Sequence, residues 1–223
     1  MMESAKYGCY EIFNTEMARN EVVKIATSLA RYLHDNSIES IVFIDSAARP
    51  ASLALSKAWS HLYPKEKKPG MYFINPMGLD SERREDDVDQ EFRLIHKNLT
   101  ENIDKPVLIF DVCVHTGTSM NSVIKALRLV GFQKIFTGSA QPAFACNCHN
   151  EPSNLQLDFI ALQGRALMRG VPFGKDKWVD RDEGKIISRR DFQNNFEHSL
   201  QIRGEITSIF AEAMRKENNA PAE

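Results

Sequence analysis

Two hydrophobic periods alternate along this chain. Residues 16–35 carry Val22, Val23, Ile25, Ala26, Leu29 and Leu33 at helical spacing, and Asn36-Ser37 closes the segment. Residues 38–44 then give an unbroken apolar core, Ile41-Val42-Phe43-Ile44, which predicts a short strand buried on both faces. A helix is predicted over 51–61, with Pro50 suited to its first turn. Met71-Tyr72-Phe73-Ile74 is a third-element strand, closed by Asn75-Pro76-Met77-Gly78. The stretch 79–105 is the most polar in the chain, with helical spacing of Phe92, Ile95 and Leu99 inside it. Val107-Leu108-Ile109-Phe110 is another buried strand, placed to end at Asp111. Residues 120–130 are helical by Val123, Ile124, Leu127 and Val130, and Gly131 is a helix stop. Strands follow over 134–140 and 155–162, then a polar, glycine-containing stretch to 190, then a helix over 191–216 in which Gly204 marks an interruption. Residues 217–223 read as a disordered tail, and 1–15 as an N-terminal strand or arm.

Helix and strand in alternation predict an α/β fold with a doubly wound, mostly parallel sheet. Ligands of such sheets bind off the carboxyl ends of the strands. Two strands here end in the same way. One runs into Asp45-Ser46-Ala47-Ala48-Arg49-Pro50 and a helix; the other into Asp111, then Thr116-Gly117-Thr118-Ser119 and a helix. Free N–H groups and the positive end of a helix suit a phosphate, and the hydroxyls add donors. Small residues at Ser46, Ala47 and Ala48 permit close backbone approach, and Arg49 presents a fork to phosphate oxygens.

The totals narrow the class. A chain of 223 residues fits a single domain, and 43% hydrophobic with 26% charged residues is ordinary for a globular protein. A net charge of −2 gives no general field for nucleic acid, and no run reaches the roughly 18 apolar residues of a membrane span. The N-terminus lacks the apolar core of a signal peptide, so a cytoplasmic location is expected. Cys9, Cys113, Cys146 and Cys148 fit thiols of a reducing compartment. Cys146-Asn147-Cys148-His149 has metal-ligand residue types, without the spacing or second pair of the usual zinc patterns.

The 13 residues from Val107 to Ser119 resemble the signature of the type I phosphoribosyltransferases, which bind phosphoribosyl pyrophosphate (PRPP). That signature has four apolar residues, two acids, two apolar residues, a variable residue and Thr-Gly-x-Thr/Ser. The chain matches the apolar run, Asp111 and the Thr116–Ser119 loop, and departs at the second acid, where Val112 stands. The resemblance implies the family fold, a parallel sheet between helices, as one domain over 1–223. A small hood would come from 163–190 with the N-terminal arm, and a mobile loop from the polar stretch after residue 79. It implies that Thr116, Gly117, Thr118 and Ser119 hold the 5-phosphate, Ser46 to Arg49 the pyrophosphate, and Asp111 the ribose hydroxyls. It also implies Mg2+, held through PRPP with Asp111 as the candidate protein contact, a small-molecule substrate, and a homodimer.

Each residue also has a plainer reading. Asp111 can cap a strand-end turn, Thr116–Ser119 can be an N-cap, and Arg49 a surface charge. His115 fills the variable position, as a base titrating near neutrality or as a solvent-facing turn residue. Trp178 in the expected hood either stacks on a base or packs in core or interface. The reading is a PRPP-dependent transferase with an unidentified acceptor. The alternatives are a nucleotide or PRPP sensor without turnover, and a phosphohydrolase with Asp45 or Asp111 as nucleophile. The last lacks the second aspartate two residues on.

Overall fold

In the computed structural model, the described residues are 10–44, 48–79, 92, 96–114, 116–141, 155–162 and 189–218, with backbone alone for 77, 78, 141, 189–199, 217 and 218. Helix α1 (Glu16–Asp35) starts at Thr15, whose backbone is extended and whose hydroxyl accepts from the Ala18 N–H at 3.1 Å. Glu16 in its first turn suits the positive helix end, and the buried stripe Val22, Ile25, Ala26, Leu29 and Leu33 sets its inner face. It ends where Ser37 turns to φ 52°.

Strand β1 (Ser40–Ile44) is buried along its whole length. It is followed in the chain by helix α2 (Arg49–Leu62), then strand β2 (Gly70–Ile74) and a 3-10 turn (Pro76–Leu79). A single-turn helix α3 (Lys97–Thr100) precedes strand β3 (Val107–Cys113), and helix α4 (Thr118–Leu129) follows it. Strands β4 (Ile135–Gln141) and β5 (Phe159–Ile160) and the long helix α5 (Arg189–Asn218) complete the order.

All four strand pairings are parallel, in the order β2-β1-β3-β4-β5. The doubly wound parallel sheet is therefore present. Winding reverses between β1 and β3, which makes their shared carboxyl end the topological switch point. The ladder between them stops at Phe43 opposite Phe110, whereas β3 stays paired to β4 as far as Cys113 opposite Gln141. Past Phe110, no ladder pair joins β3 to β1 among the described residues.

Two cores lie on the two faces. Phe43, Leu108, Phe110 and Val112 pack with α1, α2 and α5; Val42, Ile109 and Ile74 pack with α4, Leu99 and Phe92. Alternate residues of one strand feed opposite cores, as a pleated strand requires.

The sequence reading needs four adjustments. β3 runs three residues past Phe110, because Val112 and its neighbours remain paired to β4 and continue the alternation. β5 holds only Phe159 and Ile160 of the expected 155–162. Gly204 does not interrupt α5: the helix is continuous, and a methyl group there would meet nothing within 4 Å. The same helix reaches Asn218, two residues into the expected tail. Residues 163–188 of the expected hood, the N-terminal nine residues, Cys146, Cys148 and His149 lie outside the described residues, and 189–190 open α5. No described helix is long and apolar enough to cross a membrane.

The N-terminal segment is held by one buried carboxylate. Glu205 of α5, 7% exposed, accepts from the backbone N–H groups of Glu11, Ile12 and Phe13 at 2.9–3.2 Å. Arg19 closes the other side by donating to the Phe13 carbonyl at 2.9 Å. Glu205→Ala strips three N–H groups of their acceptor and should cost about 3 kcal/mol in urea unfolding, with Glu205→Gln intermediate. A loss below about 1 kcal/mol for the alanine variant would show that the segment is held by its apolar contacts instead.

Candidate functional site

The candidate site is the carboxyl end of β1 and β3. Because the two strands are neighbours and parallel, the segment entering α2 and the segment entering α4 leave the sheet at the same edge. Gly117 is the N-cap of α4, in the left-handed region at φ 78°, and it is buried. A side chain there would be strained, which explains a glycine between two threonines. Its carbonyl accepts from the Asn121 N–H at 2.8 Å, so the helix starts tightly behind it.

The helix starts at this edge differ from that of α1. No side chain caps α4, whose N-cap is a glycine, and none caps α2, whose N-cap is Ala48. Neither has an acid in its first turn, whereas α1 has both a threonine cap and Glu16. Among the described residues, both helices at the switch point therefore have a positive end with neither a side-chain cap nor a first-turn acid. At α4, Thr116, Thr118 and Ser119 are exposed. The two threonine hydroxyls lie 2.9 Å apart, and Thr116 Oγ1 accepts from the Thr118 N–H at 3.4 Å, a weak bond that an anion can replace.

Asp111 lies within β3, on the face of Ile109 and hence of α4. Its Oδ1 accepts from the Val112 N–H at 2.7 Å. Burial pushes its carboxyl from the ordinary 3.8 up to about 6, against the opposing pull of the Val112 and Cys113 N–H groups. Val112, next in sequence, points to the other face. It is 8% exposed and packs with Leu108 and Phe110 in the core under α1 and α2. The position of the family's second acid is thus an apolar core position here.

Arg49 opens α2 and is exposed. Its guanidinium lies 5.1 Å from the centre of the Phe73 ring on β2. It therefore sits on the α2 side of the sheet, while Asp111 and Thr116–Ser119 share the α4 side. Ala48, just before it, is buried. Of the remaining sequence-predicted residues, Ser46, Ala47, His115 and Trp178 lie outside the described residues, as does Asp45.

Sequence reasoning missed the facing of Val112 and the stacking of Arg49 on Phe73. The first had a signal: counting alternate residues onward from Val107 puts 111 and 112 on opposite faces. The second depends on the β1–β2 register and has no local signal. Among the described residues, no group of three or more His, Cys, Asp or Glu is placed to hold a metal. Asp111 has one carboxylate oxygen engaged by the Val112 N–H. The described residues do not supply a protein site for Mg2+.

No family model matches the chain, and no curated protein matches it in sequence. Similar solved structures do exist. A purine phosphoribosyltransferase from Pyrococcus horikoshii aligns at 15% identity over 63% of this chain and 80% of that one, with a TM-score of 0.38. A hypoxanthine phosphoribosyltransferase from Trypanosoma cruzi, complexed with the product IMP, aligns at 13% identity over 64% and 71%, with a TM-score of 0.41. A hypoxanthine-guanine-xanthine phosphoribosyltransferase aligns at 14% over 64% and 74%, with a TM-score of 0.38. Similarity of this size establishes no family, and function rests on the chain's own geometry.

The raised Asp111 value has a definite sign. The folded state holds its proton more tightly than the unfolded state, so the group's contribution is most favourable below about pH 4 and is lost as pH rises through 6. Asp111→Asn should therefore stabilise the protein by about 2–3 kcal/mol near pH 8, with the gap closing toward pH 4, read by urea unfolding across pH. A gap independent of pH would mean that the carboxylate is solvated.

Proposed function

We propose that the chain binds PRPP at the switch point between β1 and β3 and transfers its phosphoribosyl group to a nitrogen acceptor, releasing pyrophosphate. The observation that carries this reading is the pair of uncapped, acid-free helix starts at one topological switch point. The α4 start with Thr116, Thr118 and Ser119 would hold the 5-phosphate, with Gly117 allowing close approach. The segment from Ser46 to Arg49, at the α2 start, would hold the pyrophosphate; Arg49 would leave Phe73 to reach it. Asp111 would meet the ribose hydroxyls on the α4 face, His115 would serve as base, and Trp178 would cover the acceptor.

The reaction displaces pyrophosphate at the anomeric carbon: a C–N bond forms, the C–O bond breaks, and the electron pair leaves on pyrophosphate. The acceptor's proton goes to the base. The protein's part is to hold donor and acceptor in line and to surround the departing charge with donors. Mg2+ bound with PRPP would offset pyrophosphate charge.

Val112 supports a second reading, a PRPP or nucleotide sensor without turnover. A second acid at this position would have to enter an apolar core, so the ribose contact it makes in the resemblance cannot be restored by substitution alone.

Calorimetric titration with PRPP, with and without Mg2+, tests the donor; pyrophosphate release with a panel of nucleobases, orotate and amines tests transfer. PRPP should bind, and Thr116→Ala/Ser119→Ala should weaken it about tenfold or more. Binding without turnover across the panel selects the sensor, and no PRPP binding removes the transferase and the PRPP sensor.

A further inference from the structure

A cavity of about 640 Å³ lies at the opposite end of the sheet, where β1 and β2 begin. Ser40 and Gly70, the first residues of those strands, line it, as do Asn102 and Lys105 from the segment before β3. It is about 20 Å along β3 from the carboxyl edge, six residue steps at roughly 3.3 Å each. Its size is within the range of small-molecule sites.

Its charges are unevenly partnered. Lining it are two glutamates, and each has a basic partner: Glu39 receives Lys105 Nζ at 2.6 Å, and Glu66 lies 3.3 Å from His34 Nε2. His34 is also bonded to Asp35 at 3.2 Å, which, with Glu66, raises its imidazole above its ordinary value. Lys67 and Lys68 also line the cavity, are exposed, and have no carboxylate partner among the described residues. Lys68 donates to the neutral Ser56 hydroxyl at 3.0 Å. Among the described residues neither lysine therefore has a counter-charge, the demand that one phosphate meets.

Two aromatic residues line the cavity from opposite faces of the sheet, Trp59 with the core under α1 and α2 and Tyr72 with the core under α4. The Trp59 Nε1 is buried with no hydrogen-bond partner. Tyr72 lies across Gly70, where an added methyl would come within 2.9 Å of its Cε2 and hydroxyl. Glycine at position 70 is what lets that ring pack against the backbone there.

From these groups we propose a second ligand site at the amino ends of β1 and β2, which takes a phosphate monoester carried on a flat ring, the chemistry of a nucleoside monophosphate. Lys67 and Lys68 hold the phosphate, and the Tyr72 ring is the surface for the flat group. This site is independent of the PRPP reading.

The test is a 1H–15N NMR titration of the full chain with AMP and, separately, inorganic phosphate. AMP should give saturable shifts at the amides of Lys67, Lys68 and Gly70 and at one indole N–H. Lys67→Glu/Lys68→Glu, two surface changes, should weaken AMP at least about tenfold, while Thr116→Ala/Ser119→Ala leaves these shifts intact. Gly70→Ala, which displaces the Tyr72 ring, should weaken AMP and spare inorganic phosphate. No AMP shifts up to millimolar concentrations, shifts confined to 116–119, or undiminished binding by the lysine variant would each overturn the site. Inorganic phosphate binding as tightly as AMP would overturn the ligand class.

Discussion

The pleat of β3 governs how this molecule presents chemistry. The strand is hydrogen-bonded to β1 on one side and β4 on the other, and it feeds both cores. Its register cannot slip by one residue without exchanging every side chain between those cores. That constraint places Asp111 on the α4 face and sends Val112 the other way. The β1 ladder stops at Phe110 and the β4 ladder continues, so the carboxyl appears where, among the described residues, the strand is paired to β4 alone. A chain that left the sheet at Phe110 would have no fixed direction for either residue.

The helices at the switch point follow from the same geometry. α2 and α4 return along opposite faces, so their starts approach the switch point from opposite sides. Each start lacks a side-chain cap, although capping by Ser, Thr, Asp or Asn commonly adds about 1 kcal/mol. At α4 the hydroxyls are present in the sequence yet bond chiefly to each other. Stability left unused at a helix start, together with a buried carboxylate whose ionisation opposes folding, concentrates cost at one edge of the sheet. The rest of the chain offsets it: two apolar cores, the threonine cap of α1, and the Glu205 clamp on the N-terminal segment.

Helices and strands with strong periods were legible in the residues. α1 was readable at both ends because Thr15, Glu16 and Asn36 act locally. β3 was read too short because a charged residue ended the apolar run, although the strand's limit is set by pairing with β4, which no local pattern encodes. α5 was read as interrupted because glycine lowers helix propensity by about 1 kcal/mol, which burial of Ile202, Ile206, Ile209 and Phe210 outweighs. In the candidate site, Thr116–Ser119 was legible because a loop leading into a helix is a local object. Arg49 was legible as a helix-start cation; its orientation over Phe73 was not, because that ring belongs to a strand brought alongside only by the sheet.

The remaining tension is electrostatic. A phosphate at the α4 start and an ionised Asp111 on the same face would repel each other in a site of reduced dielectric. Burial already holds the Asp111 proton to about pH 6, and a bound phosphate would hold it further. In that state the carboxyl can donate its O–H to a ribose hydroxyl as well as accept from one. A second acid beside it would reintroduce the repulsion, and the strand has instead turned that position into the core. An anion at this edge would meet donors from two helix starts, and protonation of Asp111 would remove the one opposing charge on the α4 face.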